Sequence, residues 1–98
     1  GYYKAGEYGI RIENLVLVVP APLAGAEQEM LAFETITFAP IDKNLIDTAL
    51  ISPAEIAWFD AYHADVFTKL AHEMNEEERE WLRSATAPLV VAQPALAA

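Results

Sequence analysis

Apolar and polar positions change their spacing near residue 42, and that change organises the chain. In residues 10–19, IRIENLVLVV, β-branched and aliphatic residues predict a strand that the prolines of PAP at 20–22 stop. The polar, glycine-containing LAGAEQEM at 23–30 reads as a connector. LAFETITFAPI at 31–41 predicts a second strand, with Glu34, Ile36 and Phe38 on one face and Phe33, Thr35 and Thr37 on the other. Two strands joined in this way can pair as an antiparallel hairpin. Upstream, GYYKAGEYG at 1–9 is rich in glycine and tyrosine and reads as a loop leading into the first strand.

Beyond residue 42 the spacing becomes helical. DKNLIDTALI at 42–51 mixes turn-forming and apolar residues and can hold a short helical turn. SPAE at 52–55 marks a helix start: Ser52 caps, Pro53 suits the first helical position, and Glu55 completes a capping box. Ile56, Phe59, His63, Phe67, Leu70 and Met74 recur at intervals of three and four, which predicts one apolar stripe and a helix to about Met74. Trp58 and Tyr62 lie one turn apart on a different side, either packed under the helix that follows or facing another surface. That second helix starts at Asn75, with Glu76, Glu77 and Glu78 near its positive end and Arg79 and Arg83 nearer its far end. Trp81, Leu82 and Ala85 supply its apolar side. APLVVAQPALAA at 87–98 is low in complexity and is expected to fray. The order strand, strand, helix, helix predicts an α+β fold.

Composition narrows the function more than the fold. The chain has 98 residues, 54% of them hydrophobic and 21% charged, which suits one small ordered domain. The high apolar share implies that part of the surface is covered by something else. A net charge of −9 repels phosphate, so neither nucleic acid nor an anionic membrane surface is an expected partner. There is no cysteine, hence no disulfide and no thiolate chemistry. The longest apolar run, Leu15 to Ala26, is broken by Pro20 and Pro22, and no basic start precedes an apolar stretch. A cytoplasmic location is the resulting expectation.

The candidate chemistry lies in the charged start of the first strand. Alternation puts Arg11, Glu13, Leu15, Leu17 and Val19 on one face, about 6.6 Å apart at alternate positions. That pair of charges has two readings. It can guard the frayed end of an edge strand against aggregation. It can equally be a carboxylate aimed into a cavity, with a guanidinium holding its charge and orientation, and such a carboxylate suits a hard divalent ion. His63, in the apolar stripe, reads as a core histidine, and His72 as a solvated one. NEEERE at 75–80 lacks the glycine turn and alternating oxygens of a calcium loop and reads as a solvated helix start.

GYY followed by GIRIENLVLVV closely resembles the end of the catalytic domain of aminopeptidase P, the Xaa-Pro aminopeptidases of the pita-bread metallopeptidase group. The resemblance continues through FETITFAPIDKNLID, SPAEIAWFDAYH and WLRSATAPL, segments that look like the carboxy-terminal extension of three-domain members, and it covers roughly residues 1–89. It implies short antiparallel strands from the end of a pita-bread sheet, followed by a two-helix extension. The implied division is 1–41 for the end of the catalytic domain, 42–88 for the helical extension, and 89–98 for a flexible tail.

The resemblance also implies an activity: cleavage of the bond between an amino-terminal residue and a following proline, with two divalent ions, usually manganese, activating a water. On that pattern Glu13 falls on the carboxylate ligand that bridges both metals. Arg11 falls on the supporting arginine, and Tyr3 on a tyrosine just outside the ligands. The family's other ligands, two Asp, one His and one Glu, fall outside these 98 residues. One carboxylate cannot hold two ions, so the chain alone is expected to bind none and to lack peptidase activity. Its expected partners are the rest of the catalytic domain, a peptide with proline at its second position in the intact enzyme, and further copies of itself through homo-oligomerisation or strand exchange. The competing reading is a stand-alone interaction or dimerisation module that kept the strand motif without its chemistry.

Overall fold

The computed structural model describes residues 1–90; part of the expected tail, residues 91–98, lies outside the described residues. The chain forms two compact units, Gly1–Thr37 and a second from Phe38 onward.

The first unit consists of two hairpins. Strands β1 (Tyr2–Lys4) and β2 (Tyr8–Ile10) pair antiparallel, with Tyr3 opposite Gly9. Their tight turn needs a left-handed residue, which Gly6 supplies at φ 74°. The Glu7 N–H donates to the Lys4 carbonyl (3.0 Å), and their side chains form an ion pair at 2.8 Å. The expected leading loop is therefore a hairpin: three tyrosines are good strand formers, Gly6 supplies the reversal, and Gly9 lies within β2.

Strands β3 (Val16–Pro20) and β4 (Leu31–Thr35) form the second hairpin, with Val18 opposite Phe33 and Val16 opposite Thr35. Bonds from the Ile36 N–H to the Leu15 carbonyl and from the Ala21 N–H to the Met30 carbonyl extend the pairing at both ends. This is the expected hairpin, but the first strand is not continuous over 10–19. Residues 11–14 lie between the two ladders, because β2 ends at Ile10 and β3, extended by the Leu15 carbonyl, starts at Val16. Both faces of the ribbon carry exposed apolar side chains, among them Leu15, 70% exposed, and Phe33, 74% exposed.

The second unit is helical. Asp42 caps a 3₁₀ turn, Lys43–Leu45, by accepting from the Asn44 N–H at 3.0 Å. Helix α1 (Pro53–Leu70) opens on the expected capping box: the Glu55 N–H donates to Ser52 Oγ (3.1 Å) and the Ser52 N–H to Glu55 Oε1 (2.9 Å). A 3₁₀ turn, Ala71–Glu73, then leads into α2 (Glu76–Ala85), whose box pairs Asn75 and Glu78 reciprocally, both bonds 2.9 Å. Arg79 does not serve the far end of α2. Its guanidinium reaches back to the carbonyls of Ala71 (3.1 Å) and Met74 (3.0 Å) and pins the interhelical turn. No helix among the described residues is long and apolar enough to cross a membrane.

The core comprises Tyr62, Val66 and Leu82, flanked by Phe38, Ile41, Phe67, Leu70, Ala71 and Met74. The buried side of α1 is thus rotated from the expected stripe: Phe59, Tyr62, His63 and Val66 are buried, while Phe67 and Leu70 sit at the margin. Tyr62 and Trp58 stack at 5.5 Å and 6°, yet only Tyr62 is internal; Trp58 is 54% exposed. On α2, Leu82 is fully buried and Trp81 faces outward. The second expected strand also ends early, at Thr35 rather than 41, because residues 39–41 bond to α1 side chains instead of a strand. Ala87 and Leu89, in the stretch expected to fray, are tethered to Lys43 Nζ (3.2 Å) and Asp60 Oδ1 (2.9 Å).

Leu82 has no exposed surface and lies between both helices, so Leu82→Ala is expected to cost about 2–5 kcal/mol in chemical denaturation. Asn75→Ala is expected to cost about 1 kcal/mol, the loss of one helix cap.

Candidate metal-ligand site

The site begins with the first hairpin. Because Tyr3 lies opposite Gly9, its ring can cross the neighbouring strand with no side chain in the way. A Cβ on Gly9 would stand 2.6 Å from Tyr3 Cδ1, so glycine is required there for this ring position. The ring carries its hydroxyl to Arg11, the first residue past β2, whose Nη1 donates to Tyr3 Oη at 2.6 Å.

Arg11 then turns to Glu13. Its Nε donates to Glu13 Oε2 at 2.8 Å, and Nη2 lies 2.5 Å from the same oxygen. Both contacts fall on Oε2 and neither on Oε1, so one carboxylate oxygen is gripped and the other is turned away from the guanidinium. The bonds from Tyr3 and from Glu13, and the charge of Glu13, hold the Arg11 guanidinium above its ordinary pKa. All three side chains are exposed, and such a pair in water adds little to stability. What it does supply is position: two nitrogens of one guanidinium converge on Oε2 and hold that oxygen in place.

The three residues singled out from the sequence are therefore joined in one chain, Tyr3 to Arg11 to Glu13. They do not form a complete metal site. Divalent ions take about six oxygen or nitrogen ligands, and no group of three or more His, Asp or Glu side chains able to hold a metal ion occurs among the described residues. His63 is fully buried and its Nε2 accepts from the Ile41 N–H, so it is the core histidine expected. His72 is exposed beside Glu73 at 3.2 Å, and Glu76, Glu77 and Glu78 are exposed at the start of α2, also as expected. The residue that reading the sequence missed is Gly9; a glycine opposite an aromatic in a hairpin was the available signal.

The family described as the C-terminal region of peptidase_M24 matches residues 29–89. The probable Xaa-Pro aminopeptidase P of Penicillium rubens is 40% identical over 91% of this chain and 15% of its own length. Xaa-Pro aminopeptidase 2 of Homo sapiens is 40% identical over 96% of this chain and 14% of its own. Among solved structures, an X-prolyl aminopeptidase from Caenorhabditis elegans, described as a cytosolic enzyme with a di-nuclear active site, superposes with a TM-score of 0.74. It is 33% identical, over 89% of this chain and 15% of that one.

Short antiparallel strands followed by two helices are thus the carboxy-terminal portion of a pita-bread peptidase fold. The chain belongs to the peptidase family whose C-terminal region it matches. It spans about 14–15% of the length of the curated relatives.

Gly9→Ala is expected to push the Tyr3 ring off the hairpin and break its bond to Arg11. In NMR spectra of the chain, the Arg11 Nε–Hε signal should shift and exchange faster with water, while amides of α2 keep their positions.

Proposed function

We propose that this chain is the carboxy-terminal part of a metal-dependent Xaa-Pro aminopeptidase, a hydrolase that removes an amino-terminal residue preceding proline. The observation that carries the reading is the joined Tyr3–Arg11–Glu13 geometry in a chain whose relatives are Xaa-Pro aminopeptidases. In the intact enzyme Glu13 would be one of the carboxylates that hold two divalent ions, manganese being the expected pair, and the ions would activate the attacking water. Arg11 holds Oε2 of that carboxylate, and Tyr3 holds Arg11. The remaining ligands come from the rest of the catalytic domain. The division that goes with this reading is 1–41 for the end of that domain, its last residues, 38–41, packing on the helical unit, then 42–88 for the helical extension and 89–98 for its tail. A cytosolic setting follows the Caenorhabditis elegans enzyme.

The test is made in the full-length parent protein. Glu13→Gln should lose bound metal, measured by elemental analysis, and with it peptidase turnover. Arg11→Gln should lower activity or metal affinity about 10- to 100-fold. A Glu13→Gln enzyme that keeps both ions and full turnover of an Xaa-Pro peptide would sink the proposal. The 98-residue chain alone should show no turnover of such a peptide.

The exposed apolar faces of the first unit support self-association of the isolated chain, through strand exchange or edge pairing. Light scattering should find dimers or larger species. A monodisperse monomer at all concentrations would count against it.

A further inference from the structure

Residues 38–41 follow β4 but belong to no ladder, and their partly buried backbone groups still need partners. Two adjacent side chains of α1 provide them. The Ala39 N–H donates to Tyr62 Oη at 3.2 Å, and the same hydroxyl donates to the Ala39 carbonyl at 2.9 Å. The Ile41 N–H donates to His63 Nε2 at 2.9 Å. Pro40 has no N–H and keeps Ala39 extended, so both N–H groups of 39–41 are answered from α1. Phe38 and Ile41, which flank the core, are held in place by these bonds.

We propose that Tyr62 and His63 form a clasp that seats residues 38–41 on the helical unit, and that a proton on His63 opens it. The hydrogen bond dictates the chemistry. To accept from Ile41, His63 must be neutral with its hydrogen on Nδ1, an atom that is buried and has no partner among the described residues. A second proton, on Nε2, would set one donor against another and place a cation on a ring with no exposed surface.

The charged groups around the ring oppose that cation on balance. Lys43, from the 3₁₀ turn, repels it, and its ammonium is anchored on the carbonyls of Ser84 (2.8 Å) and Ala87 (3.2 Å) at the end of α2. Asp60, one turn back on α1, attracts it, but its carboxylate already accepts from the Leu89 N–H at 2.9 Å. Burial first, then Lys43, lower the His63 pKa below its ordinary value, and Asp60 only partly offsets them. The sign follows. The clasped state binds the proton more weakly than the open state, whose histidine titrates at about 6.5. The clasp is therefore fully favoured above that pH and loses ground as pH falls from about 6.5 to the lower value of the closed state.

The experiment is an NMR titration of the ¹⁵N-labelled chain from about pH 7.5 to about 4.5. With two histidines in the chain, the ring signals can be assigned using His72→Gln. At the upper end the His63 ring should show an unprotonated Nε2. As pH falls below about 6.5, the Ile41 amide protection factor should drop by up to tenfold per pH unit, levelling where the His63 ring finishes titrating. The Thr86 amide, bonded to the Leu82 carbonyl at 2.9 Å, should keep its protection over the same range. His63→Gln, which retains an acceptor and cannot become charged, should abolish the pH dependence, and His72→Gln should leave it intact. A His63 ring that titrates at its ordinary value, an Ile41 protection factor independent of pH, or the same pH dependence in His63→Gln would overturn the proposal. Should His63→Gln not fold, coincidence of the ring titration with the loss of Ile41 protection in the unmodified chain decides the question.

Discussion

Backbone groups that leave a sheet without entering a helix have to be satisfied by something, and in the helical unit that requirement falls on Tyr62 and His63. Their three bonds to Ala39 and Ile41 replace the ladder that a neighbouring strand would have supplied. Much of the unit follows from them. Tyr62 must point inward to reach Ala39, and this rotates the buried side of α1 toward Val66 and leaves Trp58 as an outer cover. Phe38 and Ile41 are thereby drawn to the edge of the core.

The remainder of that unit depends on end-to-end fastening more than on bulk. A core centred on Tyr62, Val66 and Leu82 is small, so local devices carry a larger share of the order. Two reciprocal capping boxes start the helices where their first N–H groups would otherwise be unpaired. Arg79 secures the turn between them, Thr86 closes the end of α2 through the Leu82 carbonyl, and Lys43 ties that end to the preceding 3₁₀ turn. Near the helix ends Arg79 and Lys43 thus act as hydrogen-bond donors to carbonyls, and Glu55 and Glu78 as acceptors from N–H groups.

The first unit obeys a different constraint. A two-stranded ribbon with apolar residues on both faces is marginal in water by itself, and this pattern suits strands covered on both sides by protein. Polar chemistry enters at the break in that pattern, residues 11–14, where no ladder fixes the chain. There the side chains fix each other. Gly9 makes room for Tyr3, Tyr3 holds Arg11, and Arg11 holds one oxygen of Glu13. The carboxylate is orientated by an exposed chain of hydrogen bonds that contributes direction more than stability.

The amino-acid sequence by itself determined whatever acts over three or four residues. Ser52 with Glu55 and Asn75 ahead of Glu76–Glu78 marked both helix starts, the prolines at 20 and 22 marked the end of β3, and the Arg11–Glu13 spacing marked the charged pair. Contacts of that range involve residues that are neighbours in any compact arrangement, so their pattern is visible in one dimension. Which face of α1 is buried, where the first strand breaks, and why residues 39–41 are not strand were decided only by tertiary structure. The partners there, such as Ala39 with Tyr62, Ile41 with His63, and Lys43 with Ser84, are 22 to 41 positions apart. No local period records a partner at that distance, because the geometry exists only after the chain has closed on itself.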